Sequence, residues 1–510
     1  MAVRLTSEQV LAAASEATLV NIISGPGSGK TTVAAARFGY LHHRDPDGRR
    51  GVLGLSFTRS AVGELRSRIT ARWGHHATEL PNLVTTFDDF HVRVLHHLLD
   101  LGLATWPGGH RRLDVIDDFR GIDSDYRWLI TGSYRRYAGC GPDGVITSLS
   151  ERISKPKFGF GKKGPHLAVL GGGTSSHDDV RRALRTVLKN VPGSRDAVVA
   201  WLAANYRHVV VDEIYDADEL DIFICMCVAD TTTATLTLVG DPWQALYDWR
   251  GATPEKVGKY LLDNYPFTPY EQPQSFRFAT EQTIELARAL RAGEGVALPP
   301  VASTATDVAL GRNWTTLWTV GDNVLPLAFR TVGNRIDAAL NLLLDEVTRT
   351  KLGRKSFGRQ SALVHLGLPE EGIEQIMLEH FRPILTELVA GLSAVDALER
   401  VRDTAEAVSP KSRPSKLRAS AEEQRAQEVE RLRRRLTRVD LIPGLTVHQA
   451  KGCEWPRVGV ALTAAHETAL ATGLTNAQEE DCVVYVALTR AKNLCGYLAH
   501  EDELGFGGDD

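Results

Sequence analysis

The stretch Ser24-Gly25-Pro26-Gly27-Ser28-Gly29-Lys30-Thr31-Thr32 constrains this chain more than any other. An apolar run from Thr18 to Ile23 (TLVNII) precedes it and reads as a buried strand, and VAAARFGYL follows and reads as a helix. Strand, glycine-rich turn and helix are the setting in which a phosphate-binding loop works. The glycines let successive backbone N–H groups, from Gly25 through Ser28 to Thr32, turn toward phosphate oxygens, and the helix N-terminus adds partial positive charge. Lys30 is expected to reach the β- and γ-phosphates, and Thr31 to offer its hydroxyl to Mg²⁺. The strict pattern G-x-x-x-x-G-K-[ST] has glycine where this chain has Ser24. The ligand expected here is a nucleoside triphosphate with Mg²⁺.

With 510 residues the chain exceeds a single core, and three or four domains are expected. A net charge of −4 gives no global basic field, so any nucleic-acid contacts must come from local patches. The apolar runs are shorter than a membrane span, and no leader pattern opens the chain, so no membrane role is expected. The six cysteines form no C-x-x-C; Cys225 and Cys227 sit in FICMCV, where buried thiols fit better than metal ligands. A reduced, cytoplasmic setting is the expectation.

Upstream of the loop, Leu5-Thr6-Ser7-Glu8-Gln9 opens a capped helix, and Gln9 can present both amide faces to an adenine edge. Gly51 to Ser56 reads as the next strand. It ends in Phe57-Thr58-Arg59, which either holds a nucleic-acid phosphate or is a plain strand–helix unit. Val84 to Phe90 repeats the design, with Thr85, Thr86 and Phe87 at a strand end. Residues 95 to 200 read as mostly helical. Within them Lys155, Lys157, Lys162 and Lys163 interleave with Phe158 and Phe160, as either a nucleic-acid loop or a solvated one.

His208-Val209-Val210-Val211-Asp212-Glu213 is the second decisive stretch. A β-branched run ending in two carboxylates places them at the C-terminal edge of a parallel sheet. There Asp212 can hold Mg²⁺ and Glu213 can polarise an attacking water. After a further strand, Gln244 is a candidate γ-phosphate sensor. Tyr247 and Trp249, next to Arg250, either stack bases or pack in a core.

The ordered set of motifs resembles the UvrD/Rep/PcrA-like group of superfamily 1 DNA helicases. The phosphate loop is similar to A-G-x-G-S-G-K-T, whose first residue is also not glycine. Gln9 stands at the adenine-reading glutamine. Phe57-Thr58 with Ala61, Glu64 and Arg68 looks like F-T-N-x-A-A-x-E-M-x-x-R, and Thr86-Phe87 looks like T-F-H with Asp88 replacing the histidine. Asp212 to Asp216 looks like D-E-x-Q-D, and Gly240 to Ala252 like G-D-x-x-Q-x-I-Y-x-W-R-G-A. Ser275-Phe276-Arg277 stands for N-Y-R, Thr446 to Trp455 for T-x-H-x-x-K-G-L-E-[FW], and Tyr485 to Ala491 for Y-V-A-L-T-R-A.

The resemblance implies an α/β chain of two RecA-like P-loop motor domains with reduced, mainly helical accessory insertions. It implies motor domain 1A at 1–95 and 200–270, accessory domain 1B at 96–199, motor domain 2A at 271–345 and 441–510, and a reduced helical domain 2B at 346–440. By the same resemblance Phe276 stacks on adenine, Arg277 contacts the γ-phosphate, Glu454 sits near the ribose and Arg490 is the arginine finger. Thr58, Thr86, Phe87, Tyr247, Trp249, Arg250, Thr446 and His448 would hold single-stranded DNA or a junction, with movement usually 3′ to 5′.

Two departures stand out. Tyr215 replaces the glutamine of D-E-x-Q-D, and the accessory domains are short. Both suit an alternative: a DNA-sensing ATPase subunit that regulates a partner nuclease, as small UvrD-like proteins such as the GajB-like subunits of Gabija do in phage defence. The Val408 to Ser420 linker leads to a charged helix, Glu422 to Arg438, which is either a solvated face or a duplex or partner contact. Few residues follow Arg490, and no appended nuclease domain is expected.

Overall fold

The computed structural model describes residues 4–44, 49–117, 130–131, 134–152, 165–231, 233–246, 251–252, 254–409, 414 and 416–499. The chain divides into two units, Met1–Phe276 and Arg277–Asp510. Among the described residues no helix is long and apolar enough to cross a membrane.

In the first unit six parallel strands form one sheet, ordered Thr268–Gln272, Leu19–Ser24, Thr235–Gly240, Tyr206–Asp212, Gly51–Ser56, Leu83–Thr86. Every residue of Tyr206–Asp212, Gly51–Ser56 and Thr235–Gly240 is buried, because both faces of a parallel sheet are covered. Alternate residues serve opposite cores. Val52 and Val210 pack with Phe38, Leu41 and Leu65 of the helices Lys30–Arg44 and Arg59–Trp73. Leu53, Leu55, Val209 and Val211 pack with Phe87, Phe90, Leu220 and Ile224 on the other side. A side chain at Gly54 would come within 3.3 Å of Phe38, so the ring lies against the strand backbone.

Register positions the chemistry. Ile23 pairs with Gly240 and Val239 with Asp212, so three neighbouring strands end level. The loops after Ser24, Asp212 and Gly240 therefore leave from one edge, the carboxyl ends of the strands, where open α/β sheets bind ligands.

Two expectations need correction here. The insertion at 96–199 is mixed, not mostly helical. Ile130–Thr131, Tyr134–Cys140 and Ile146–Arg152 form an antiparallel sheet, and Asp114–Ile116 pairs in parallel with Thr174–Ser176. The helix His177–Asn190 packs on this sheet through Val180, Ala183, Leu184 and Val187. Tyr134–Cys140 (YRRYAGC) is half exposed and rich in arginine, so it lacks the apolar alternation that marks a strand. In addition, the boundary expected at 270/271 falls inside Thr268–Gln272, an edge strand that pairs with Leu19–Ser24. The basic loop with Lys155, Lys157, Lys162, Lys163, Phe158 and Phe160 lies outside the described residues.

The second unit is built on another all-parallel sheet of six strands, ordered Pro300–Val301, Ala491–Leu498, Trp455–Ala461, Val308–Gly311, Ile442–Thr446, Val324–Pro326. Its helical insertion begins at Arg335–Leu352, earlier than the expected residue 346. Ile336 through Thr348 are all buried, so this is the central helix of the insertion. Its buried acids are paired: Asp337 with Arg425 at 2.8 Å, Asp345 with Arg359 and Glu346 with Arg382.

The charged helix runs Ala419–Leu436 and is no free solvated face: Arg425, Glu428, Val429, Leu432 and Arg435 are buried on it. The Arg435 guanidinium donates to the carbonyls of Val324 (2.6 Å) and Gly321 (2.7 Å) and lies over the Trp318 ring. Arg433 pairs with Glu430 at 2.7 Å on the helix surface. A count of charges does not separate the buried arginine from its exposed neighbours.

Candidate nucleotide and strand site

The phosphate loop starts from residues that need unusual backbone. Gly27 and Gly29 adopt φ values of 72° and 85°, a region where a Cβ is strained. The turn is closed by Ser28, whose N–H (3.3 Å) and hydroxyl (2.8 Å) both donate to the Gly25 carbonyl. Lys30 opens the helix Lys30–Arg44, and its ammonium points back over the loop to the Ser24 carbonyl at 3.4 Å. Thr32 accepts a hydrogen bond from Arg68, which ties the helix Arg59–Trp73 to the loop. Ser24 is fully buried, so its place at the strand end is one of packing.

Gln9 holds the loop rather than standing open. Its Nε2 donates to the Ser28 carbonyl at 2.8 Å, and its Oε1 accepts the Thr6 N–H at 3.0 Å in a capping box. Both amide faces are engaged, against the expectation that both serve adenine. The same three-residue spacing from Thr6 that caps the helix also aims the amide at the loop. On the loop's other flank, the Phe276 N–H donates to the Gly27 carbonyl (2.9 Å) and the Ser275 hydroxyl to the Pro26 carbonyl (2.7 Å). The Phe276 ring stays 56% exposed, which leaves a flat apolar face beside the loop.

Asp212 ends its strand with the carboxylate fully buried. Burial first, then the neighbouring Glu213 charge, push its pKa up to about 7, against the pull of a Thr31 hydrogen bond and the Lys30 charge. Asp212 Oδ1 is buried without a hydrogen-bond partner. An unsatisfied carboxylate oxygen beside the Thr31 hydroxyl is a donor set for a hard, oxygen-seeking cation, and it fits Mg²⁺. Glu213 has φ 61° and ψ 39°, the one positive φ at a non-glycine among the described residues. A side chain held in the left-handed region marks a position that the surrounding structure over-determines. Beyond the next strand, Gln244 is buried and donates to Asp241 Oδ2 at 2.7 Å.

Among the strand-facing expectations, Phe87 is overturned. It is fully buried and stacks on Phe57 at 5.0 Å between ring centres, so it belongs to the core under the sheet. Thr58 and Thr86 cap helices: their hydroxyls accept the N–H of Ala61 and of Asp89, each at 3.1 Å. Thr446 caps Val447–Ala450, and it and His448 are half-buried. Tyr247, Trp249 and Arg250 lie outside the described residues.

The second unit gathers its own charged cluster. Arg277 donates to Glu454 at 3.1 Å and to the Thr489 carbonyl at 2.7 Å, and Lys492 pairs with Glu454 at 2.6 Å. Burial alone would raise the Glu454 pKa; the hydrogen bonds from Lys492 and Arg277 outweigh it and hold the carboxyl below its usual range. Arg490 is 1% exposed, with Nε on the Val486 carbonyl at 3.0 Å. Sequence reasoning passed over Lys492, whose only signal is its place two residues beyond Arg490. It also passed over His91, buried 3.2 Å from Asp221.

Residues 7–250 match the model of an AAA domain, and residues 394–495 match that of the UvrD-like helicase C-terminal domain. Among curated proteins, DNA helicase II of Haemophilus influenzae is 24% identical over 336 residues, covering 62% of this chain and 42% of that protein. The ATP-dependent DNA helicase UvrD1 of Mycobacterium tuberculosis is 25% identical over 300 residues, covering 52% and 36%. The ATP-dependent DNA helicase SRS2 of Saccharomyces cerevisiae is 25% identical over 263 residues, covering 46% and 22%. The chain thus spans less than half the length of these relatives.

Proposed function

This chain belongs to the UvrD-like superfamily 1 helicase family, and from that premise we propose that it is an ATP-dependent DNA translocase or helicase. Its ATP hydrolysis is stimulated by single-stranded DNA and drives movement 3′ to 5′. The observation that carries the reading is the convergence of Lys30, Thr31, Asp212 and Glu213 at one sheet edge, with Asp212 Oδ1 buried and unsatisfied.

In this reading the loop N–H groups and the Lys30 ammonium bind and orient the triphosphate. Thr31 and Asp212 would hold Mg²⁺, which when bound neutralises charge on the phosphate oxygens. Glu213 orients the attacking water and takes up its proton. Arg277 and Arg490 are the proposed cations for charge that develops on the transferred phosphoryl group. Phe276 offers its exposed ring to the base, and Glu454 approaches the ribose. Thr58, Thr86, Thr446 and His448, with Tyr247, Trp249 and Arg250, are the proposed strand contacts. The motor and accessory boundaries of the resemblance, shifted to take Thr268–Gln272 into the first unit and Arg335–Leu352 into the helical insertion, and a reduced, cytoplasmic setting complete the proposal.

The test is steady-state ATP hydrolysis with and without single-stranded DNA at two salt concentrations. Strong stimulation that fades with salt supports a DNA-driven motor. Hydrolysis indifferent to DNA overturns it and returns attention to a regulatory subunit with a nuclease partner. Displacement from 3′- and 5′-tailed duplexes then reads the polarity.

A further inference from the structure

Three histidines meet far from the phosphate loop, at the other end of the helix that the loop begins. His42 and His43 close the helix Lys30–Arg44, and His76 lies in the turn His75–Thr78. One ring nitrogen from each lies within 4.8 Å of the other two. Ring centres are separated by 4.8 Å for His42–His43 and 5.8 Å for each of the pairs with His76.

The meeting is built by packing around it. Trp73 sits in a notch at Gly39, where a Cβ would come within 2.3 Å of indole atoms, so the ring lies directly against the backbone of the first helix. Gly74 then turns the chain with φ 85°, and a Cβ there would be 2.9 Å from the His76 ring. This turn folds His76 back onto the end of the first helix.

His42 is also chemically prepared. Asn82 is buried, with Oδ1 accepting the Val52 N–H (2.8 Å) and Nδ2 donating to the Ala77 carbonyl (3.1 Å), which fixes the amide's orientation. Nδ2 also faces His42 Nδ1 at 3.1 Å, so that nitrogen carries a lone pair and no proton.

We propose that His42, His43 and His76 form a binding site for one transition-metal ion of the zinc, nickel or copper class. Imidazole nitrogens select these ions, whereas Mg²⁺ prefers oxygen donors, so the site is independent of the one at the phosphate loop. Metal–nitrogen bonds of about 2.0–2.1 Å need the three nitrogens to draw closer, a movement open to the exposed His43 and His76. The partial negative charge at a helix C-terminus favours the cation. The ion would clip the phosphate-loop helix to the turn that leads into the strand Leu83–Thr86, and so stiffen the frame of the nucleotide site.

The test uses full-length, tag-free protein freed of metal and titrated with zinc by calorimetry, with Co²⁺ absorption reporting the ligand set. One ion per chain is expected. The pair His43→Gln and His76→Gln should weaken binding more than about tenfold. His75→Gln, a neighbour on the same turn outside the cluster, should leave it unchanged. Circular dichroism checks that each variant is folded. Absence of saturable binding, or equal binding by the double variant, overturns the proposal.

Discussion

The Gln9 amide donates to the carbonyl of Ser28 at 2.8 Å, so the helix before the first strand holds the phosphate loop from outside. Nothing else in the loop's sequence announces this support. Gln9→Leu removes a buried hydrogen bond worth about 1 kcal/mol. The KM for ATP is expected to rise about fivefold with kcat little changed. An unchanged KM would show that the loop holds its own shape.

Lys30→Ala should abolish ATP hydrolysis while leaving the fold intact, because the ammonium sits on the loop and in no core cluster. Turnover retained near the wild-type rate would remove the loop from the active site. Thermal melts separate this outcome from unfolding.

Metal-free stability should depend on pH through Asp212. Its folded pKa, about 7, lies above the ordinary 3.8, so the folded state binds the proton more tightly than the unfolded chain. Stability is therefore lost as pH rises from 3.8 through 7. With EDTA present, Asp212→Asn should melt above wild type at pH 8, and the two should converge near pH 4. A constant gap across that range would contradict the burial argument.

Phe87→Ala should destabilise the first unit by about 3–5 kcal/mol, the usual loss for a buried aromatic. Urea unfolding measures it. DNA affinity of the folded fraction should stay at the wild-type level, since the ring lies beneath the sheet. Selective loss of DNA binding at full stability would restore Phe87 to the strand interface.

Arg435→Ala and Arg433→Ala should part company although both lie in one basic run. Removing Arg435 leaves the Val324 and Gly321 carbonyls without their charged donor and should lower stability by about 3 kcal/mol. Removing Arg433, paired only at the surface, should change it by less than about 1 kcal/mol. Equal melting curves would overturn the distinction.

What could be read in the chain alone was local chemistry and its order. Gly27 and Gly29 read as a phosphate loop, Val209 to Asp212 as a buried strand ending in a carboxylate, and the ordered motifs resembled a family whose two RecA-like domains they implied. These signals survive in one dimension because each depends on neighbours within a few residues. Tertiary structure alone decided that Phe87 stacks on Phe57, that Gln9 serves Ser28, that Arg435 is buried while Arg433 is not, and that His76 returns to His42. Each of those outcomes joins residues from 19 to 114 positions apart in sequence, and periodicity carries no record of which distant partner closes the contact. The Arg-rich strand Tyr134–Cys140 was illegible for the same reason: its pairing with Ile146–Arg152 and its cover from His177–Asn190 supply the burial that its own residues do not advertise.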